Sequence, residues 1–178
     1  MLVLVVGPSG AGKDTLLRLA REGLSGEARV RFVRRVITRP ADAGGEDHEA
    51  VTGAEFGRRN HALQWTAHGL RYGIPTQIGA DLARGHVVVA NVSRGVIAEA
   101  AARFPVRVVL VTAPPEVLAA RLAGRGRETA ADIAARLARD VALPEGVPTT
   151  TIVNDGAPEA GAARLIALLR EWAAGSGT

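Results

Sequence analysis

The sequence predicts an α/β fold in which a parallel sheet is flanked by helices, with a small polar insertion and an arginine-rich lid. Short β-branched runs alternate with longer Ala-, Leu- and Arg-rich segments of helical period, which is the pattern of strands joined by helical crossovers. The first run, "LVLVV", leads through a glycine-rich turn into a segment with leucines at helical spacing. Two later runs, "HVVVANV" and "VRVVLVT", are apolar enough for inner positions of a sheet covered on both faces.

Taken in order, Leu2–Val6 is the first strand and Lys13–Glu22 the first helix. Val30–Ile37 reads as one continuous second strand, Thr76–Arg84 as a helix and His86–Val92 as the third strand. Gly95–Arg103 is helical, Val106–Thr112 is the fourth strand, and Pro115–Ala123 opens with proline where a helix tolerates it. Ala130–Leu143 is a further helix, Thr150–Val153 a short last strand, and Pro158–Ala174 the final helix. From Thr38 to Pro75 the rhythm breaks into a Gly-, His-, Arg- and Asp-rich stretch with short strands expected around Ala50–Thr52 and Leu63–His68. Because that stretch keeps Phe56, Trp65 and Tyr72, residues 38–75 are read as a substrate-binding insertion rather than a linker. Residues 121–139, with "GRGRE" between two helices, are read as a lid.

At 178 residues the chain is sized for one domain, 1–178, with a core that needs no covalent staples. It has no cysteine, which excludes disulfides, thiolate zinc sites and a cysteine nucleophile. "MLVLVV" lacks a basic lead and is too short for a signal peptide or membrane span, so the expected location is the cytoplasm with no membrane partner. The net charge of +4 rests on arginine, 22 basic residues less one lysine leaving 21. Aromatic residues make up 3% and no basic run occurs, so stacking platforms and basic tails for nucleic acid are missing. In a chain that otherwise uses arginine, the lone Lys13 is informative.

Lys13 ends "GPSGAGK", which follows a strand and opens a helix, the context a phosphate-binding loop requires. Glycines let successive backbone N–H groups converge on phosphate oxygens, the helix start adds its dipole, and the lysine neutralises the β/γ phosphates. Gly7, Pro8, Ser9, Gly10, Ala11, Gly12, Lys13, Asp14 and Thr15 are therefore expected to hold ATP. Asp14 stands where such loops usually carry Ser or Thr. It either ligates Mg2+, which accepts one or two protein carboxylates, or only stabilises the first helical turn. A carboxylate without a cation would repel the nucleotide, which favours the metal.

With these residues in view the chain resembles the guanylate-kinase-like branch of the P-loop kinases. The resemblance runs through "GPSGAGK", "ITRP", "EDHEAVTGAEF", "LQWTAHGLRYGIP", "RGRE" with "ARLAR", and "IVNDG". In guanylate kinases carboxylates read guanine; the matching positions here are Gln64 and Asn91, and an amide brings a donor of its own. A second acceptor-phosphate arginine is replaced by Asp42, and Val89 stands where the branch carries a carboxylate near the metal. Within the branch the chain is more similar to the ribose 1,5-bisphosphate phosphokinases of phosphonate breakdown, which share the aspartate after the lysine. That resemblance implies ATP as donor, Mg2+, and phosphorylation of ribose 1,5-bisphosphate to 5-phosphoribosyl 1-diphosphate. The alternatives are a divergent guanylate or nucleoside-monophosphate kinase, a non-catalytic guanylate-kinase-like binding module and, more remotely, an arginine-rich nucleic-acid binder.

On this reading Arg39 grips an acceptor phosphate by its planar fork. Tyr72 donates its hydroxyl, while His48 and Gln64 complete the acceptor side, with His68 also in reach and Trp65 in the core. Arg125, Arg127 and Arg136 are the lid candidates for covering the transferring phosphoryl group, with Arg125 and Arg136 placed beside Lys13 and Asp14 in the catalytic set. Asn154 and Asp155 follow a strand end and either line the adenine pocket or form a turn. The expected partner is a small sugar phosphate, and a homodimer is compatible with the sequence.

Overall fold

The computed structural model describes residues 1–43, 46–124 and 142–175. Two sheets organise them. Strands β1 (Leu2–Val6), β2 (Val30–Phe32), β7 (Val87–Asn91), β8 (Val106–Thr112) and β9 (Thr149–Val153) form an all-parallel sheet of order β2-β7-β1-β8-β9. Every residue of β1 is buried, as its central place and two covered faces require.

Successive β1 residues serve opposite layers. Val3 and Val5 pack with Leu16 and Ala20 of helix α1 (Lys13–Gly23) and with Leu165 and Leu169 of the C-terminal helix α6 (Pro158–Gly175). Leu2, Leu4 and Val6 pack on the other side with Ile97 of α4 (Ile97–Arg103) and Ile78 of α3 (Ile78–Ala83). Helix α5 (Pro115–Ala123) starts with proline as expected and directs Leu118 into the first layer. The parallel sheet wrapped by helices is thus as the alternating pattern predicts.

The stretch read as one strand, Val30–Ile37, is two. β2 stops after Phe32, and β3 (Arg35–Ile37) joins a second sheet of order β4-β3-β6-β5 with β4 (His48–Ala50), β5 (His61–Ala67) and β6 (Leu70–Pro75). The break falls at Val33 and Arg34, and Arg34 meets Asp47 at 2.8 Å on the surface. Bending the chain turns Arg35 inward against Glu46. The insertion therefore begins at β3, earlier than residue 38.

Within it β6 and helix α2 (Gly53–Arg58) were not expected, although their local signals are present. Thr52 and Glu55 form a reciprocal capping box: Thr52 Oγ1 accepts from the Glu55 N–H at 3.1 Å, and Glu55 accepts from the Thr52 N–H at 2.7 Å. His68 and Gly69 both adopt positive φ, 52° and 73°, the conformation of a tight hairpin turn whose twist suits antiparallel strands. The predicted β strands at Ala50–Thr52 and Leu63–His68 shift to β4 and β5. The helix predicted over Thr76–Arg84 shortens to α3, and that over Gly95–Arg103 opens with a 3-10 turn at Arg94–Val96. Most of the helix predicted at Ala130–Leu143 lies outside the described residues, and Ala142 and Leu143 are not helical.

Ala62, Leu63 and Ile74 of the second sheet join the core layer on the α4 side. That packing holds the second sheet beside the C-terminal ends of β1 and β7, where open α/β sheets keep their ligand crevice. No described helix is long and apolar enough to cross a membrane.

Candidate active site

The loop from Gly7 to Gly12 is built by close approach. Gly7, Gly10 and Gly12 take φ values of 149°, 87° and 88°. A Cβ at Gly7 would fall within the radius of the Val111 carbonyl oxygen, so glycine is the residue that fits there. Gly12 is the N-cap of α1, and Lys13 and Asp14 occupy the first turn. Lys13 Nζ donates to the Gly7 and Pro8 carbonyl oxygens at 2.7 and 3.0 Å, curling back over the loop.

Two residues pin the loop from below. Asn154 is buried and donates from Nδ2 to the Ala11 carbonyl at 2.8 Å, while Arg121 Nη1 donates to the Asn154 carbonyl at 2.8 Å and lies 3.5 Å from that of Gly10. Asn154 thus supports the loop from beneath through Nδ2, while its Oδ1 is buried without a hydrogen-bond partner among the described residues, and Asp155 beside it is exposed. Arg121, the first residue of the expected lid, belongs to α5 and serves as an anchor. Arg125, Arg127 and Arg136 lie outside the described residues.

Asp14 Oδ1 accepts from Asn91 Nδ2 at 2.8 Å, joining the start of α1 to the end of β7. Val89, expected near the metal side, is buried in the core with Val87, and Asn91 is the β7 residue that reaches the loop. Ser9, Thr15 and Asp14 line a small recess of about 120 Å³ on the loop. This is a hard-oxygen donor set suited to Mg2+. Among the described residues no three His, Cys, Asp or Glu side chains converge, so such an ion would rest on one carboxylate and on phosphate oxygens, its usual manner of binding.

Facing the loop across a cleft of about 650 Å³ stands the second sheet. Arg35 is 9% exposed. Its Nε donates to Glu46 Oε1 at 2.5 Å and its Nη2 to Glu46 Oε2; Nη1 points at the Asn91 carbonyl at 3.3 Å. The guanidinium stacks over the Tyr72 ring, 5.3 Å from its centroid, and Tyr72 in turn stacks on Trp65. Arg39 Nη2 lies 3.5 Å from Glu46 Oε2 and 3.2 Å from His48 Nδ1, while Arg39 Nε is buried with no hydrogen-bond partner among the described residues. Two arginines sharing one carboxylate leave a net positive wall opposite Lys13.

Of the residues expected on the acceptor side, Arg39, Tyr72 and His68 line this cleft. Trp65 lines it too, at its rim, instead of lying wholly in the core. His48 is buried, with Nδ1 3.0 Å from the Glu46 carbonyl and Nε2 3.2 Å from that of Arg39, so it braces the loop that carries those residues and does not face the cleft. Gln64 is exposed on the β5 face opposite Trp65, away from the cleft, which removes it from acceptor reading. Arg35 and Glu46 were missed. Their signal is a pair of opposite charges eleven residues apart, and that becomes informative once β2 and β3 are known to part.

A family model described as an AAA domain matches residues 3–142. The chain is 56% identical to ribose 1,5-bisphosphate phosphokinase PhnN of Acidiphilium cryptum over 94% of this chain and 91% of that protein. It is 54% identical to the bifunctional ribose 1,5-bisphosphokinase-thymidine phosphorylase of Cupriavidus necator, over 93% of this chain and 28% of that larger protein. Among solved structures, guanylate kinase from Anaplasma phagocytophilum superposes with a TM-score of 0.67 at 21% identity, covering 96% of this chain and 84% of that one, which shows the shared fold.

Proposed function

Because this chain belongs to the ribose 1,5-bisphosphate phosphokinase family, we propose that it transfers the γ-phosphoryl group of ATP to the 1-phosphate of ribose 1,5-bisphosphate, yielding 5-phosphoribosyl 1-diphosphate. The observation that carries this reading is the cleft itself. A phosphate-binding loop with Lys13 forms one wall, and an arginine-rich wall with Arg39 stands opposite, as an acceptor that is itself a phosphate requires. The guanine-reading alternative loses one of its two matching positions, since Gln64 faces away, and the other, Asn91, is an amide that donates to Asp14.

The acceptor phosphate has a second pKa of about 6, so its attacking oxygen is largely anionic at neutral pH and needs no general base. The protein's task is positioning and charge neutralisation. Lys13 exchanges the Gly7 and Pro8 carbonyls for the β/γ phosphate oxygens, and the N–H groups of residues 10–13 receive the phosphates at the start of α1. Arg39 turns its unpartnered Nε toward the acceptor phosphate. Tyr72 shapes the sugar side of the cleft. Asp14, steadied by Asn91, would hold Mg2+ on the phosphates, where the ion would neutralise the charge of the polyphosphate. The covering positive charge is assigned to Arg125 and Arg136 on sequence grounds alone, both lying outside the described residues. Its use of ATP as donor supports a cytoplasmic location.

The test is a Mg2+-dependent assay of product mass with ribose 1,5-bisphosphate and GMP offered separately, with Asp14→Asn alongside. Turnover of the sugar bisphosphate over GMP, reduced about 10- to 1,000-fold in the variant, is expected. A preference for GMP overturns the acceptor, and undiminished activity in the variant overturns the role of Asp14.

A further inference from the structure

We propose that the Arg35–Glu46 pair is a size filter of the acceptor cleft, a partition that shuts a nucleobase out of an apolar recess on its other side. The proposal rests on the sugar-bisphosphate reading above and adds what keeps nucleotides from the same site. Adjoining the cleft is a second cavity of about 140 Å³, with Leu17, Phe32, Val33 and Val89 in its walls. Apolar cavities of about 150 Å³ are large enough to take one aromatic ring. Among the described residues, Asp14, Arg35, Glu46 and Asn91 line both the recess and the cleft.

Those four residues form one hydrogen-bonded chain. Arg35 holds Glu46 through its fork, its Nη1 lies 3.3 Å from the Asn91 carbonyl oxygen, and Asn91 Nδ2 donates to Asp14 Oδ1 at 2.8 Å. The chain runs from the second sheet by way of β7 to α1 and so crosses between the two cavities. It is fixed in place. Arg35 cannot swing aside without stranding the carboxylate of Glu46, whose side chain is 16% exposed, and a lone charge at that burial is costly. Glu46 in turn is neutralised by Arg35, with Arg39 beyond it, so the pair acts on a ligand by its bulk. A base finds no other stacking face on Tyr72. β6 lies between β3 and β5, and the Tyr72 ring is held between Arg35 on one side and Trp65 on the other. A phosphosugar ends in polar groups that can rest against such a partition, whereas the aromatic ring of a nucleotide needs the apolar surface that the partition covers.

The experiment measures calorimetric binding, without ATP, of GMP and of ribose 5-phosphate, which carries the same phosphate and sugar without the base. Three proteins are compared: the wild type, Arg35→Ala with Glu46→Ala, and Arg35→Met with Glu46→Leu. The alanine pair opens the partition, the Met and Leu pair keeps its bulk without its charge, and neither strands one member of the ion pair. Thermal melting verifies that both variants fold. The wild type is expected to bind GMP about 10- to 100-fold more weakly than ribose 5-phosphate. The alanine variant should bring the two within about threefold by tightening GMP, and the Met and Leu variant should keep the wild-type ratio. A wild type that binds GMP as tightly as ribose 5-phosphate overturns the proposal, whether or not the variants fold. So does an alanine variant whose ratio stays where it was, or a Met and Leu variant that admits GMP equally well, since charge and not bulk would then exclude the base. If the wild type phosphorylates GMP and not ribose 1,5-bisphosphate, the functional reading itself fails. If it phosphorylates the sugar bisphosphate while the GMP ratio does not move, the partition alone is refuted.

Discussion

Arg35→Met tests the energetics of the arginine wall apart from catalysis. Methionine keeps much of the side-chain volume but removes the fork, so Glu46 loses both short hydrogen bonds and keeps the 3.5 Å contact with Arg39. Breaking a fully buried pair by deleting one partner costs about 3–5 kcal/mol, because the other charge stays behind uncompensated. The Arg35 and Glu46 side chains retain 10% and 16% of their exposure, and water screens that much, so a loss of about 2–4 kcal/mol is expected. Against a domain stability of about 5–15 kcal/mol this is large. With a urea slope of about 2 kcal/mol/M, the unfolding midpoint followed by far-UV circular dichroism should fall by about 1–2 M. Arg35→Met combined with Glu46→Leu removes the stranded charge and should recover most of that loss. A single variant costing under about 1 kcal/mol, or a double variant no more stable than the single, would refute the view that this pair is desolvated and mutually dependent.

Asn154→Ala leaves the buried Ala11 carbonyl without its donor, and a cost of about 1–3 kcal/mol is expected, together with a raised KM for ATP. An unchanged ATP KM would show that the loop holds its shape without this support. Burial of His61 against Phe56, with Arg59 and Arg71 nearby, holds its imidazole below the usual histidine range. The unfolded chain then binds the proton more readily than the folded one. The stability from neutral His61 is therefore complete above the unfolded pKa of about 6.5 and is lost as pH falls below it. Urea midpoints at about pH 7.5 and 5.5 should differ more in the wild type than in His61→Gln, and equal differences would contradict the assignment.

Local features were legible. The capping box at Thr52 and Glu55 and the His68-Gly69 turn are short-range signals that an attentive reading could have used to place α2 and β6. The strand break at Val33 and Arg34 was harder, because the β-branched run continues through it and propensity alone extends the strand. Gln64 was chosen by its matching position in the resemblance, which says nothing of which face of β5 it takes; strand alternation puts it on the face opposite Trp65.

By itself the sequence determined the alternation of strands and helices and the phosphate loop from Gly7 to Thr15. Those depend on residues a few positions apart, whose spacing the covalent chain already sets. Tertiary structure decided the meeting of Asp14 with Asn91, 77 residues away, and of Asn154 with Ala11, 143 residues away. It also decided the pairing of Arg35 with Glu46. Polar partners of this kind are chosen by how two sheets pack, since a charge turned into an interior must find a counter-group wherever the fold brings one.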